Sequence, residues 1–397
     1  MRIVHTSDWH LGHRLMGESR EEEHRLFLQW LLEYLERKRP DILIVSGDIF
    51  DTGTPPSYAR RALNDFLASS PVRVVLTAGN HDSPAVLEEQ KELLGRLGCT
   101  VSTAIGDGDE DLVITVDRED GPAGVVCAVP FIKESDIRKS AQSTDSHDRR
   151  EALSRGIEAH YRKIYEKALK IAGDTLPVVA TGHLSVPWTR EDSEAVREIY
   201  IGTLESFDSR LFPPFDYIAL GHFHKMAKMK NICYSGSPVP LSFQEAGGAR
   251  YILDVEVERG KAPRIEAVEV PRFRSILSIE GSLEEIEREI SSISVHSPLS
   301  PIWVEAIVKE SGIFSLRDFA SRVGGDEVEI LRTILERGGE SEATLAGRIE
   351  AEVGDITPSI VFDRRLELEE GLDDEDRSRL KELFLQIAQS VELENEN

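Results

Sequence analysis

Residues 41–51 read DILIVSGDIFD, and this stretch decides the fold. Ile42 to Val45 form a continuous apolar run of strand length, which suits a strand buried on both faces, and the run stops at Gly47 before Asp48 and Asp51. On either side the pattern alternates. Strand-like RIVHTS (2–7), VRVVLTAGN (72–80) and the run at 42–46 are separated by EEEHRLFLQWLLEYLERKR (21–39) and PPSYARRALNDFLAS (55–69), with AVLEEQKELLGRLG (85–98) following. Strands joined by crossover helices imply a largely parallel sheet with helices over it. Leu26, Phe27, Trp30, Leu31, Tyr34 and Leu35 give the first helix an apolar stripe that should pack on that sheet.

Further along, 111–130 reads as antiparallel strands around REDGPAG, 148–173 as a long charged helix, and PVVATG (177–182) as another buried strand. A strand at 215–221, a hairpin-like stretch to about 235, and strands near 249–256 and 264–270 are expected to complete a second sheet. Two sheets with helices outside both make a four-layer α/β-β/α sandwich over residues 1–271. After VPRFR (270–274) the character changes. A strand at 275–280, a helix opened by the capping pair Ser282 and Glu285, a strand at 302–309, a helix from Ser315 and a strand at 327–335 predict a smaller α+β domain over 272–337. Residues 338–397 form an acidic link and C-terminal helices, the last with Leu380, Leu383, Phe384, Ile387 and Val391 at helical spacing.

The formal charge of −25 argues, taken alone, against a free-standing nucleic-acid binder, although much of the excess lies in LELEEGLDDEDR (366–377) and VELENEN (391–397). Cys99, Cys127 and Cys233 are isolated from one another and read as buried thiols of a reducing compartment. No signal-peptide pattern and no membrane-length apolar run is visible, so a cytoplasmic protein is expected.

Chemistry concentrates where the strands end. Asp8 and His10 close the first strand, Asp48 the second, and Asn80, His81 and Asp82 the third; His183, His222 and His224 close later ones. Ligands of open α/β sheets lie beyond such carboxyl ends, so these residues should meet. Oxygen and imidazole donors without thiolate suit Mn²⁺, Zn²⁺ or Fe²⁺, and the set is too large for one ion. Two cations need a bridging carboxylate, for which Asp48 is the natural choice; such a pair clamps a phosphate ester and activates water.

The order D-x-H, G-D-x-x-D, G-N-H-D, G-H and G-H-x-H, at Asp8/His10, Gly47–Asp51, Gly79–Asp82, Gly182/His183 and Gly221–His224, resembles the calcineurin-like metallophosphoesterases. HTSDWHLG (5–12), GDIFDTGTPPSYAR (47–60), REIYIGTLESF (197–207), PPFDYIALGHFH (213–224) and YSGSPVPLSF (234–243) narrow the likeness to the SbcD family of bacterial exonucleases, strongly over about residues 1–275 and weakly beyond. The resemblance implies two divalent ions, with Mn²⁺ favoured. One would be held by Asp8, His10, Asp48 and His224, the other by Asp48, Asn80, His183 and His222. His81 would stabilise the transition state or protonate the leaving oxygen, with Asp82 orienting it. It further implies DNA ends, hairpins and single strands as substrates, an SbcC-type ATPase partner with a coiled coil, a homodimer within a heterotetramer, and a capping role for 272–337. The C-terminal helices would dock on the partner or pack on the smaller domain. No G-x-x-x-x-G-K-[ST] loop is present, so ATP hydrolysis is not expected here.

Asp51 departs from the histidine of archaeal relatives and is read as supporting a ligand; both it and Asp82 could instead stabilise turns. His5, His13, His24, His147, His160 and His296 are read as ordinary structural histidines. Tyr200, Gly202, Thr203, Gly236, Ser237 and Pro238 suit substrate-side loops or plain turns, and Arg190, Arg197 and Lys225 phosphate contacts or surface charge. Two rival readings are a small-molecule phosphatase or cyclic-nucleotide phosphodiesterase with the same metal site, and a scaffold with a vestigial one.

Overall fold

The computed structural model describes residues 1–105, 112–133, 136, 146–186, 207–293, 297–309 and 327–335. Strands β1 (Arg2–Thr6), β2 (Ile42–Ser46), β3 (Val74–Thr77) and β4 (Cys99–Ser102) alternate with helices α1 (Glu21–Lys38), α2 (Ser57–Ser69) and α3 (Pro84–Arg96). The four strands are parallel neighbours. β5 (Val113–Arg118) and β6 (Gly121–Cys127) pair antiparallel, and α4 (Ser146–Ala172) leads to β7 (Val178–His183) and β8 (Tyr217–Gly221). β9 (Ala227–Met229) and β10 (Ile232–Tyr234) finish the second sheet, in the order β9-β10-β8-β7-β6-β5.

One expectation is corrected. β11 (Arg250–Glu256) and β12 (Arg264–Val270) do not join the second sheet; they extend the first, whose order is β12-β11-β1-β2-β3-β4. β11 runs antiparallel to β1, with Arg2 opposite Glu256 and His5 opposite Leu253. Its local pattern suits either sheet, because Ile252 packs towards the helices while Leu253 and Val255 face the other sheet. Long-range partners choose between them. Asp254 accepts from the Arg2 guanidinium at 2.9 and 2.6 Å and from the Tyr34 hydroxyl at 2.7 Å, and those groups belong to β1 and α1.

The opening stretch explains the layering. Leu43 and Val45 of β2 enter the cluster under the helices with Phe27, Leu31, Leu35, Leu63 and Phe66, whereas Ile42 and Ile44 pack between the sheets against Val126, Val179 and Ala219. Both faces are dry, and each such side chain contributes about 1.5–3 kcal/mol relative to exposure. A third cluster, including Tyr161, Ile164, Ala180 and Leu220, lies between the second sheet and α4. Helix, sheet, sheet and helix thus stack as the expected sandwich. Cys99, Cys127 and Cys233 are free and buried within it. Among the described residues no helix is long and apolar enough to cross a membrane.

A smaller parallel sheet follows, β13 (Arg274–Gly281), β14 (Leu299–Val308) and β15 (Val328–Leu335), with α5 (Leu283–Ser292) opened by the capping box of Ser282 and Glu285. Ile286 and Ile290 of α5 cover Ile279, Val304 and Ala306 on one face. Its other face presents Ile276 and Trp303 to Leu15, Phe243 and Ala246 of the main body. These elements and the sandwich share one compact unit, Met1–Val308 with Ile313–Leu335. A second unit comprises Lys309–Gly312 and Glu336–Asn397. The helix expected from Ser315 and the stripe Leu380–Val391 lie outside the described residues.

Charges are buried where the small sheet meets α1. Glu23 receives the Arg20 guanidinium at 2.7 and 2.8 Å, and Arg20 also donates to the Pro240 carbonyl. Arg274 lies 3.9 Å from Glu23, donates to the Pro301 carbonyl at 2.6 Å and stacks 4.2 Å over Trp303. Removing the Glu23 carboxylate takes the two-point partner from buried Arg20 and the nearest counter-charge from Arg274. Glu23→Ala is therefore expected to cost about 3–5 kcal/mol in urea unfolding. A cost no larger than that of exposed Glu22→Ala on the same helix would refute this account.

Candidate metal centre

Every predicted donor sits at or just beyond the carboxyl end of a strand: Asp8 and His10 after β1, Asp48 after β2, Asn80 and His81 after β3, His183 closing β7, and His222 and His224 after β8. The two sheets bring those ends together. Asp8, His10, Asp48 and His222 have left-handed backbones, with φ of 53°, 45°, 49° and 101°, a conformation non-glycine residues hold only when their surroundings impose it. The Asp8 N–H donates to the Gly47 carbonyl and the His10 N–H to the Asp48 carbonyl, each at 3.0 Å, which ties the first turn to the second. The Asp8 carboxylate in turn accepts the His222 N–H, at 3.0 and 3.2 Å, across the seam between the sheets.

The motif glycines follow from this crowding. A Cβ on Gly221 would overlap the Ser46 carbonyl oxygen and crowd the His183 ring, and one on Gly79 would overlap Asp48. Only hydrogen fits there.

Three overlapping sets of donors emerge among the described residues. Asp8, His10 and His224 offer atoms within 4.8 Å of one another, and so do Asp8, Asp48 and His183; His10, Asp51 and His81 make the third, towards the rim. Asn80 Oδ1 is approached by His183 Nε2 at 2.9 Å and His222 Nδ1 at 3.1 Å. Asp48 lies between the sets, Oδ2 being 3.5 Å from His10 Nε2 and 3.3 Å from His183 Nε2, while Oδ1 accepts the His81 N–H at 2.9 Å. A carboxylate so placed would reach cations on either side, while Asp8 is the member common to the two inner sets.

The donors suit cations better than they suit each other. His183 Nδ1 sits 2.9 Å from the Ser46 carbonyl, which must receive its hydrogen, so Nε2 presents a lone pair to the oxygens of Asn80 and Asp48. Three electron-rich atoms converge with no hydrogen between them unless the ring is charged. Burial opposes that charge, but Asp48 beside it pushes the His183 pKa up to about 9. Burial and the neighbouring His183 push His222 down to about 3. Burial raises the Asp8 pKa, whereas Asp48, although buried, is held well below the usual carboxylate range by His183 and His10. Both ring nitrogens of His10 are buried without a hydrogen-bond partner, although Nδ1 lies 3.2 Å from Asp51 Oδ1 in ion-pair range. Cations between these atoms would satisfy all of them.

His81 stands exposed at the rim, its Nδ1 2.9 Å from the Asp51 carbonyl and its ring centroid 5.0 Å from that of His10. The expectation that Asp82 orients this ring is corrected. Asp82 is buried, and its carboxylate accepts the N–H groups of Ile49, Phe50 and Gly79 at 3.1, 2.9 and 2.8 Å, fastening the loop after β2 to the loop after β3. Burial and the charge of Asp48 raise its pKa to about 6 against those three bonds.

Sequence reasoning missed Glu245. Its Oε1 lies 3.0 Å from His224 Nδ1, which leaves His224 Nε2 for the set with Asp8 and His10. Burial opposes its ionisation, but the His224 hydrogen bond holds its pKa below normal. Nothing in LSFQEAGG marks it. Ser7, whose hydroxyl donates to Asp8 Oδ2 at 2.5 Å, was likewise invisible. The loop with Gly236 and Ser237 backs onto His224, the Ser237 N–H donating to the His224 carbonyl at 3.1 Å. His5, His24 and His160 are buried in the body, and Lys225 is exposed. Arg190, Arg197, Tyr200, Gly202, Thr203 and His296 lie outside the described residues, as does the side chain of His147.

Two sheets meeting over a cluster of Asp, Asn and His at their strand ends define a metallophosphoesterase. The family model for calcineurin-like phosphoesterases matches residues 1–226. The SbcD subunit of the nuclease SbcCD from Escherichia coli K12 is 38% identical over 407 aligned positions, covering 100% of both chains. The protein of that name from Rhodobacter capsulatus is 35% identical over 66% of this chain and 68% of its own, and that from Staphylococcus epidermidis 26% identical over 73% and 75%. The chain belongs to the calcineurin-like phosphoesterases and, within them, to the SbcD family.

A proton count tests the site. With its pKa near 9 in the metal-free site, His183 is charged at neutral pH, and ligation requires it neutral. Titrating Mn²⁺ into stripped protein near pH 7.5 should release about one proton or more, and affinity should fall as pH is lowered. Calorimetry in buffers of different ionisation enthalpy reads this, and zero release would contradict the assigned role of His183.

Proposed function

We propose that this chain is a DNA nuclease of the SbcD type, hydrolysing phosphodiester bonds at duplex ends and hairpins as a double-strand exonuclease and single-strand endonuclease, in DNA repair, replication and recombination. The observation that carries the reading is the convergence of donors from both sheets on Asp48, with His81 at the rim. Asp8, His10, Asp48 and His224 would hold one divalent ion, and Asp48, Asn80, His183 and His222 the other, with Mn²⁺ the metal that suits this donor set. When bound, the pair clamps and polarises a phosphate ester and activates water.

The chain's own residues do the rest. Asp82 and the amides it gathers keep the loops after β2 and β3 at a fixed separation, so Asp48 and Asn80 keep theirs. The Asp51 carbonyl accepts His81 Nδ1–H, which turns Nε2 to the substrate; in the imidazolium form Nε2 carries a second proton that can pass to the departing oxygen, leaving the neutral ring. An SbcC-type ATPase with a coiled coil supplies much of the DNA grip and meets the C-terminal helices, in a heterotetramer built on a homodimer. That partner reconciles an acidic chain with a polyanionic substrate.

The test is cleavage of labelled duplex, hairpin and single-stranded DNA in Mn²⁺, with and without the ATPase partner. His81→Ala should lower turnover by about 10²–10⁴-fold with bound metal unchanged, and chelation should abolish activity reversibly. Undiminished cleavage by the variant sinks the role of His81. Rapid turnover of small phosphodiesters without any DNA cleavage would favour a small-molecule phosphodiesterase instead.

A further inference from the structure

We infer that Glu245 is a positioning residue for His224, and that the short turn carrying it, Phe243–Glu245, ties one of the two cation sets to the docking of the small sheet. The inference rests on the metal-binding reading above, and on contacts which that reading does not use.

Glu245 can only accept, so the 3.0 Å contact with His224 Nδ1 fixes both the tautomer and the rotation of the ring. Glu245 is itself held from several sides. Its Oε2 accepts the Leu241 N–H at 3.1 Å and lies 3.1 Å from the Arg250 guanidinium. Arg250 also donates to the Glu245 carbonyl and, at 2.8 Å, to the carbonyl of His224. One arginine therefore holds the backbone of the ligand and the backbone of its orienting carboxylate in a closed ring of contacts.

Two residues earlier, Phe243 is buried in the cluster formed with Leu15, Ala246, Ile276 and Trp303. Ile276 and Trp303 belong to β13 and β14, so the turn is wedged between the small sheet and the metal loops. The other set is supported differently: His183 leans on the Ser46 carbonyl, and its Nε2, like Nδ1 of His222, points at Asn80. A shift of the small sheet would reach His224 through three residues of chain and would leave His183 in place.

The test uses the purified full chain, titrated with Mn²⁺ by calorimetry, and the visible spectrum of its Co²⁺-loaded form. The wild type should take up two ions. Glu245→Ala should weaken one site by about 10–100-fold and leave the other unchanged, with a perturbed Co²⁺ spectrum. Glu245→Gln, which keeps an acceptor oxygen, should recover part of the loss. Phe243→Leu, which alters only the wedge, should weaken the same site. Equal weakening of both sites, or unaltered affinity and spectrum in Glu245→Ala, overturns the positioning role. Wild-type affinity at both sites in Phe243→Leu overturns the coupling to the small sheet. Failure of the wild type to bind two ions would instead remove the ligand sets themselves, and this inference with them.

Discussion

Everything at the centre depends on how closely the end of β2 approaches the ends of β7 and β8. The Ser46 carbonyl faces the His183 ring at 2.9 Å, and the backbone of Gly221 passes so near that carbonyl that no side chain fits between. Two sheets packed through side chains are normally about 10 Å apart. Here the spacing collapses at one end, because glycines occupy the points of contact. The collapse lets residues from both sheets share one small volume, which neither sheet alone could fill with both oxygen and imidazole donors.

Such crowding has energetic consequences. Asp8 and Asp48 are buried close together, each disfavours ionisation of the other, and four of the donor residues hold left-handed backbones. Left-handed non-glycine residues cost of order 1–3 kcal/mol each, and buried like charges add to that. The surrounding bonds over-determine the geometry. Asp8 is held by the Ser7 hydroxyl and the His222 amide, Asp48 by the His81 amide, and the loops by the three amides on Asp82. The strain is concentrated where cations would relieve it, and the wide apolar clusters on either side of both sheets offset it.

Legibility in the sequence tracked the locality of the cause. Strands such as Ile42–Ser46 and the stripe on α1 were readable because their apolar periodicity is written in consecutive residues. The donor inventory was readable because four of the five strand ends carry a candidate ligand directly after a glycine, at Asp48, Asn80, His183 and His222. What failed was non-local. β11 suits either sheet by pattern, and only Asp254, through Arg2 and Tyr34, selects the first. Asp82 follows His81 in the chain, which suggested that it serves the ring; yet its carboxylate turns to amides of the β2 loop, more than thirty residues back. Glu245 carries no local mark at all, since its importance comes from meeting a histidine 21 residues earlier.

The acidic character of the chain is less of an obstacle to a phosphate substrate than its formal charge of −25 implies. Screening confines exposed charges to about 8–10 Å at ordinary ionic strength, so a phosphodiester responds to the field near the cluster. There, Asp8, Asp48 and Asp51 are the carboxylates beside the histidines, while Glu245 is paired with Arg250, and the Asp82 carboxylate is held by three amides. Two divalent cations would bring about +4, which offsets these carboxylates at the place where a phosphate ester would bind. A carboxylate in place of the Asn80 amide, facing His183 and His222, would add a further negative charge there and weaken that offset.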